Sequence, residues 1–186
     1  MDSLQNHFLV AMPSLNDTYF ERSLIYLCEH NAKGAMGVVI NRPSDILLDD
    51  LLLQINVKDS HDKNNNAETK ILLGGPVTPE RGFVVHRTQT GWKQSKALTN
   101  DLMLTTSQDI LASLGTNNSP TEFIVSLGAS VWDRGQLEQE LSDNAWLTLP
   151  AEHNLLFDVD YDLRWQHATQ PLGFDAWQLS TQMGHA

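Results

Sequence analysis

A chain of 186 residues, 41% hydrophobic and 19% charged, has the composition of a globular protein. Its 12 Lys and Arg against 23 Asp and Glu give a formal net charge of −11. This charge disfavours electrostatic binding of DNA phosphates or of anionic lipid. The charge is uneven, because residues 1–96 hold 11 acids and 10 bases whereas residues 97–186 hold 12 acids and two bases, Arg134 and Arg164. We therefore expect no direct nucleic-acid binding, an anionic ligand only on the first half, and a basic partner for the second.

The single cysteine, Cys28, excludes an intramolecular disulfide and a zinc site built from several cysteines. The N-terminus lacks a basic region followed by an apolar one, so no signal peptide is predicted. No segment approaches the roughly 18 apolar residues of a membrane helix. These features predict a cytoplasmic protein with no membrane contact.

In chain order, apolar runs predict strands over residues 8–12, 22–30, 37–41, 71–73, 82–86, 95–105, 121–127 and 146–149. Residues 22–41 read as a hairpin, and strand alternation places Cys28 and His30 on one face. Ser44 is a candidate cap for a short helix. Capping boxes at residues 106–109 and 130–133 predict helices ending at Gly115 and near residue 143, and a last helix is expected over residues 160–169.

The polar stretch around residues 57–69 predicts a mobile loop. Strands dominate the first half and strands alternate with helices in the second, which indicates one domain over residues 1–186. Its predicted fold class is α+β, a mixed α/β fold with an antiparallel component.

Polar residues and glycines at the predicted strand ends and turns suggest one binding face. Arginines there could hold an anion, and two successive glycines let backbone N–H groups approach one. The alternative for the glycine pair is a tight turn, which we favour. The predicted face comprises Arg22, His30, Asn41, Arg42, Gly74, Gly75, Arg81 and His86.

Catalytic readings of the sequence are weaker. Gly128-Ala129-Ser130-Val131-Trp132 approaches an esterase elbow, but a tryptophan occupies a position that needs a small residue, and Ser130 can instead cap a helix. Cys28 and His30 could pair as nucleophile and base, although a lone cysteine in an apolar strand is more often a core residue. His30, His86 and Glu29 show no local metal-ligand spacing, so neither a metal nor another cofactor is predicted.

Several segments together resemble the YqgE/AlgH family. In the first half the resemblance rests on residues 8–13, 20–31, 34–43, 74–77 and 81–86. In the second half it rests on Trp132, on residues 135–138 and 144–147, and on the terminal Gly184-His185-Ala186. The segment 127–132 departs from the family, which often has an aromatic residue after the glycine.

The resemblance implies a bacterial cytoplasmic protein whose bifurcated sheet includes a small closed barrel and is surrounded by helices. It carries over no catalytic residues. One branch of the family is labelled a transcriptional regulator of exopolysaccharide synthesis, yet no basic recognition helix is visible in this sequence. We therefore predict a non-enzymatic binding or regulatory protein that acts through a protein or small-ligand partner. The alternative is a hydrolase or phosphatase-like enzyme using His30, His86 and perhaps Cys28.

Overall fold

The computed structural model describes residues 2–16, 18–56 and 68–172, in which strands predominate. The strands are β1 (His7–Ala11), β2 (Leu24–Asn31), β3 (Gly34–Val39), β4 (Pro43–Leu47), β5 (Lys70–Leu73), β6 (Val77–Arg87), β7 (Ser95–Ala97), β8 (Leu102–Thr105), β9 (Phe123–Asp133) and β10 (Trp146–Pro150). The α-helices are α1 (Leu48–Gln54), α2 (Gln136–Ser142), α3 (His153–Phe157) and α4 (Arg164–Thr169). Short 3₁₀ helices cover Pro13–Leu15, Gln108–Ser113, Tyr161–Leu163 and Gln170–Leu172. Of the loop predicted over residues 57–69, only the last two residues lie within this description.

The sheet branches at its longest shared strand, β9. The strand order is β10-β1-β2-β3-β9-β6-β8-β7, and the β4–β5 pair joins β9 separately. The last four residues of β9 pair with β3, its earlier residues pair with β6, and Ser126 and Leu127 also pair in parallel with β5. The predicted hairpin over residues 22–41 is confirmed as the antiparallel pair β2–β3.

Two fold features implied by the family resemblance are corrected. The sheet curls into a half-barrel rather than a closed one, since β10 and β7 stand at its two ends and do not pair within the described chain. Helices do not surround it either, because the four described α-helices have only five to seven residues each. The structure is a mixed α/β fold with a bifurcated sheet.

Apolar side chains pack in three clusters on the two faces of this sheet. The large cluster includes Phe8, Tyr26, Cys28, Val85 and Ala129 and is covered by α3 and α4. The tryptophan cluster includes Leu9, Ile25, Leu27, Ala35, Trp132 and Trp146 and is covered by α2. The α1 cluster includes Leu48, Leu52, Val84, Leu111 and Val125.

Neither capping-box prediction holds. Ser130 lies inside β9, and its Oγ donates to the carbonyl oxygen of Gly74 at 3.2 Å instead of capping a helix. Pairing with β3 keeps this segment extended, so α2 begins only at Gln136. Ser107 begins a 3₁₀ turn rather than an α-helix, and its Oγ donates to the Asp109 carboxylate. Tertiary pairing has overridden a local signal in both places.

A β-bulge changes which face His30 occupies. Opposite β3, Leu27 pairs with Gly37 but Glu29 pairs with Met36, so Cys28 is the extra residue. Cys28 stays in the large cluster, whereas His30 pairs with Ala35 of the tryptophan cluster. The prediction that Cys28 and His30 share a face is therefore wrong.

Candidate functional site

Three residues of the predicted face meet where β2 begins and β3 ends. Asn41 accepts a hydrogen bond from the Leu24 backbone N–H at 2.8 Å and donates one to the Arg22 carbonyl at 2.8 Å. The Arg42 guanidinium lies 4.5 Å from the centre of the Tyr19 ring. The side chain of Asn41 is thus occupied in holding the hairpin end together, while Arg42 is half-buried beside it.

The two glycines form a backbone junction rather than an open cradle. The Gly74 N–H donates to the Leu127 carbonyl at 2.8 Å, and its carbonyl accepts from the Val39 N–H at 2.9 Å. A Cβ atom on Gly75 would lie 2.1 Å from the carbonyl carbon of Ala129. Both glycines are buried, so close packing of one chain segment on another explains them without a ligand.

His30 is buried and ties three parts of the chain together. Its Nδ1 accepts a hydrogen bond from the Leu4 backbone N–H at 2.9 Å, which requires the proton of the neutral ring to be on Nε2. Nε2 lies 3.1 Å from a Glu138 carboxylate oxygen and donates to it. The pKa of Glu138 is lowered by its own backbone N–H and by this contact with His30. The residue therefore fastens the N-terminal segment and α2 to the end of β2.

His86 is fully buried within β6. Its Nδ1 lies 2.8 Å from the Arg87 carbonyl, to which only a protonated nitrogen can donate, so Nε2 accepts from the Thr105 hydroxyl at 2.8 Å. Thr105 in turn lies 2.6 Å from the Ser95 hydroxyl, which completes a chain of hydrogen bonds linking β6, β7 and β8. Burial lowers the pKa of His86 and favours its neutral form.

The residues of the enzyme alternative are not assembled. Cys28 and His30 occupy opposite faces of β2, while His86 lies in β6 and hydrogen-bonds the carbonyl of its neighbour Arg87 and the hydroxyl of Thr105 in β8. The Cys28 thiol contacts the Tyr26 carbonyl at 3.8 Å, and burial raises its pKa to about 12. A thiol that stays protonated, with no imidazole of the described residues beside it, is not an activated nucleophile. Nor do three or more His, Cys, Asp or Glu residues converge in a metal-holding group anywhere in the described chain.

Of the eight predicted residues, Arg81 lies at an open groove between described residues, which we call the β9 groove, and the other seven do not line it. Its volume is about 510 Å³. It is lined by the β2–β3 turn (Glu29, Asn31, Lys33, Gly34, Ala35 and Met36), by β6 (Val77, Thr78, Arg81 and Phe83), by Thr106, and by the end of β9 (Ala129, Val131, Trp132 and Asp133).

The floor of the β9 groove is apolar and continues the large cluster to the surface. Phe83 and Ala129 belong to that cluster, and Met36 packs against it opposite Val131. Val131 is 47% exposed and Val77 is 40% exposed, which makes them two of the most exposed large apolar side chains described. Apolar side chains left open to water beside a concave surface are typical of a binding site.

Of the charged residues at the rim of the groove, Glu29 forms an ion pair with Lys96, whereas Arg81 has no carboxylate partner among the described residues. Lys96 beside the groove donates to the Glu29 carboxylate at 2.8 Å and, with Lys33 nearby, holds the pKa of Glu29 below its ordinary value. Arg81 donates to the Thr106 hydroxyl at 3.3 Å and lies 5.6 Å from the Phe83 ring centre. No described carboxylate forms an ion pair with Arg81. Its charge is therefore available to a ligand.

Sequence reasoning found Arg81 but missed Lys33, Val77 and Val131. A signal existed in β9, where Val131 and Trp132 are adjacent apolar residues and must face opposite sides of any strand. Trp132 is 3% exposed in the tryptophan cluster, so Val131 has to emerge on the other face. The capping-box interpretation of this segment concealed the alternation.

The half-barrel sheet, the branch at β9 and the open groove define a small α+β protein with no assembled catalytic group among its described residues. The AlgH-like family model matches residues 8–177, and the chain belongs to that family. It is 56% identical over 186 residues to a UPF0301 protein of Shewanella woodyi and 55% identical over 187 residues to one of Shewanella oneidensis, with 100% of each chain covered.

Two solved structures share the fold. The solution structure of the AlgH protein from Pseudomonas aeruginosa matches with a TM-score of 0.80 and 41% identity, covering 99% of this chain and 96% of that one. A crystal structure from Corynebacterium diphtheriae matches with a TM-score of 0.68 at 21% identity, covering 92% and 87%, and shows the fold alone. No helix in the described part of this chain has the length and apolarity needed to cross a bilayer.

Proposed function

We propose that this chain is a non-enzymatic regulatory protein that binds a partner, a protein or a small ligand, in the β9 groove. The observation that carries the proposal is the juxtaposition of an exposed apolar floor at Val77 and Val131 with the guanidinium of Arg81, which pairs with no carboxylate among the described residues. Apolar contact supplies affinity, and one cation with free donors orients an acidic group.

Catalysis has weaker support than binding. The buried histidines are each committed to neighbours by both ring nitrogens, and neither borders the groove. A general base must come within hydrogen-bond reach of its substrate, directly or through one water. The described groove is lined by the carboxylates Glu29 and Asp133 but by neither histidine and not by Cys28, and Glu29 is already paired with Lys96. This lining is better suited to recognition.

Any role in transcription, as one branch of the family is labelled, would run through this partner rather than through DNA. The longest described α-helices have seven residues, and α2 contains two acids and no base. Of the two bases in the acidic second half, Arg164 is buried. We also propose a cytoplasmic location, which the family resemblance implies. Salt-dependent binding of duplex DNA would contradict the indirect role.

The test of the groove is a ligand screen followed by NMR with ¹⁵N-labelled protein. A small-molecule fragment library and a mixture of random short peptides are titrated into the wild-type chain and into Arg81→Ala and Arg42→Ala. Arg42 is the matched control because it is an arginine stacked on an aromatic ring, as Arg81 is, but lies outside the groove.

We expect chemical-shift changes to cluster at Val77, Phe83 and Val131 in the wild-type chain and in Arg42→Ala. Arg81→Ala should weaken binding of acidic ligands roughly fivefold or more, in line with the loss of one charge-assisted hydrogen bond. Ligands that bind only elsewhere, or equal affinity for all three proteins, would refute the assignment of this groove.

A further inference from the structure

Over its last four residues, β9 pairs with described strands on one edge only. β3 covers one edge from Gly34 opposite Asp133 to Gly37 opposite Ser130. On the other edge, the pairing with β6 ends at Val77 opposite Ala129, after β6 has bulged away through residues 78–81. No described strand continues along that edge.

The connection between β5 and β6 explains why the edge is open. The Leu127 carbonyl accepts from Gly74 beside β5, whereas the Glu122 carbonyl accepts from Arg87 of β6. Because odd and even residues of a strand point their backbone groups to opposite edges, β5 and β6 lie on opposite edges of β9. The chain between them crosses β9 at Gly75, against Ala129, and thus cannot extend β6 along residues 130–133.

The backbone groups on the open edge can be identified. The Trp132 carbonyl points to β3, since a Cβ atom on Gly34 would lie 2.2 Å from its oxygen. By alternation the N–H and C=O of Val131 and the C=O of Asp133 point away from β3. The Asp133 N–H is already taken by the Gln136 side chain at 3.0 Å. Val131 therefore presents one donor and one acceptor beside the apolar floor.

We propose that the β9 groove takes an extended polypeptide segment of another protein, which adds to the open edge of β9 at Val131 as a short extra strand. This inference rests on the proposed function and specifies its ligand. A small apolar ligand would use the floor but not the strand edge, whereas an added strand uses both. Alternate side chains of the segment face the floor formed by Met36, Phe83 and Val77.

The chemistry of the segment follows from the rim. A carboxylate, from an Asp or Glu side chain or from a C-terminus, pairs with Arg81, which has no acidic partner among the described residues. A second copy of this chain is the poorer occupant, because two chains of net charge −11 repel each other. The partner is accordingly a segment with one apolar side chain and one carboxylate.

The experiment begins with a random-peptide phage library selected on the wild-type chain, and the dissociation constant of the best peptide is measured by fluorescence anisotropy. Val131→Pro removes the outward N–H, which no described strand uses, so the β3 ladder is kept. Val131→Thr is the matched control because it keeps the N–H and nearly the same volume. Thermal unfolding confirms that each variant is folded.

We expect Val131→Pro to weaken peptide binding about tenfold, Val131→Thr to change it by less than about twofold, and Arg81→Gln to weaken only peptides with a carboxylate. If Val131→Pro does not fold, single N-methylation of the peptide backbone replaces it. Methylation should then weaken binding at alternate positions only.

Each other outcome has a definite meaning. A peptide that shifts groove resonances but binds Val131→Pro with wild-type affinity overturns the added strand and leaves the proposed function standing. Ligands that never bind the groove overturn both. If analytical ultracentrifugation shows self-association that Val131→Pro abolishes, the edge is the site of a second copy of this chain. If a peptide with the sequence of residues 173–186 binds tightly, the edge is the site of this chain's own C-terminus. Either result overturns the proposal of a foreign segment.

Discussion

The backbone of Gly75 lies directly against Ala129, so close that a Cβ atom on Gly75 would fall 2.1 Å from the Ala129 carbonyl carbon. Gly75 has φ of 155° and Gly128, next to Ala129, has φ of 74°. The crossing of β9 thus depends on residues without side chains.

Gly75→Ala should lower the free energy of unfolding by more than about 2 kcal/mol, because the methyl group collides with backbone that cannot move aside. Gly82→Ala is the control, since a Cβ atom there meets nothing within 4 Å, and it should change stability by less than about 1 kcal/mol. Urea unfolding followed by circular dichroism measures both. Equal stability of the two variants would contradict close packing at the crossing.

Acidification should destabilise the chain through His86. Burial lowers the pKa of His86 in the folded chain, whereas the unfolded chain has a histidine pKa near about 6.5. As the pH falls below that value, the unfolded chain binds a proton that the folded chain does not, so the free energy of unfolding falls by up to about 1.4 kcal/mol per pH unit.

His86→Gln should therefore show a shallower loss of stability than the wild-type chain between about pH 6.5 and 5. The carboxylates with lowered pKa values act in the same direction but at more acidic pH; among the described residues they are Glu29, Asp101, Asp109 and Glu138. Urea unfolding at several pH values gives the two slopes. Parallel slopes would show that His86 does not titrate differently in the two states.

Cys28 should be inert in the folded protein. Its thiol is fully buried and its pKa is raised to about 12, so at pH 8 only about one thiol in 10⁴ is a thiolate even before access is considered. Labelling with a chromogenic disulfide reagent should be at least about 100-fold slower in buffer than in urea. Rapid labelling of the folded chain would revive the enzyme alternative.

Arg164 should be a strong determinant of stability despite its distance from the groove. The guanidinium is 2% exposed, donates to the Ile40 carbonyl at 2.7 Å and to the Val159 carbonyl at 2.9 Å, and lies 4.6 Å from the Tyr161 ring centre. Burial lowers its pKa to about 10.

Lysine cannot reproduce two donors in this fixed fork, so Arg164→Lys should cost about 2–4 kcal/mol in the free energy of unfolding. Arg134→Lys, at an exposed site in the same acidic half, should cost less than about 0.5 kcal/mol. Thermal and urea unfolding compare the two variants. A loss below about 1 kcal/mol for Arg164→Lys would mean that the carbonyl contacts contribute little.

The sequence predicted the strands well where one or both faces are apolar. The hairpin of β2 and β3 and the short strand β10 follow from apolar runs and turn residues, which local chemistry determines. The end of β9 could not be predicted in this way, because Ser130 and Asp133 match the pattern of a helix-capping box. The segment is a strand because it pairs with β3. Pairing between distant segments has no local signature.

The candidate site was predicted only in part for the same reason. Alternation along β2 predicts the correct sheet face for each residue from Leu24 to Cys28 but the wrong face for His30. The bulge inserts one residue, which reverses the alternation, and no residue type in this segment predicts a bulge. The pair Gly74-Gly75 would have the same sequence whether its backbone bound an anion or allowed one chain segment to cross another. Arg81 was predicted as a site residue because it is a charged residue next to a glycine in a predicted turn. Val77 and Val131 were missed because the sequence does not distinguish an exposed valine from a valine of the core.

The position of β9 also fixes the order in which the molecule can assemble. Before β9 is available, the described strands form three separate pieces: β1 with β2 and β3, β4 with β5, and β6 with β7 and β8. Among the described strands, β9 is the one that pairs with a strand of each piece, and β10 pairs with β1 at the far end of the sheet. Because β9 ends at Asp133, a nascent chain exposes unjoined sheet edges until that residue has left the ribosome. We expect these edges to make the growing chain open to aggregation or chaperone capture.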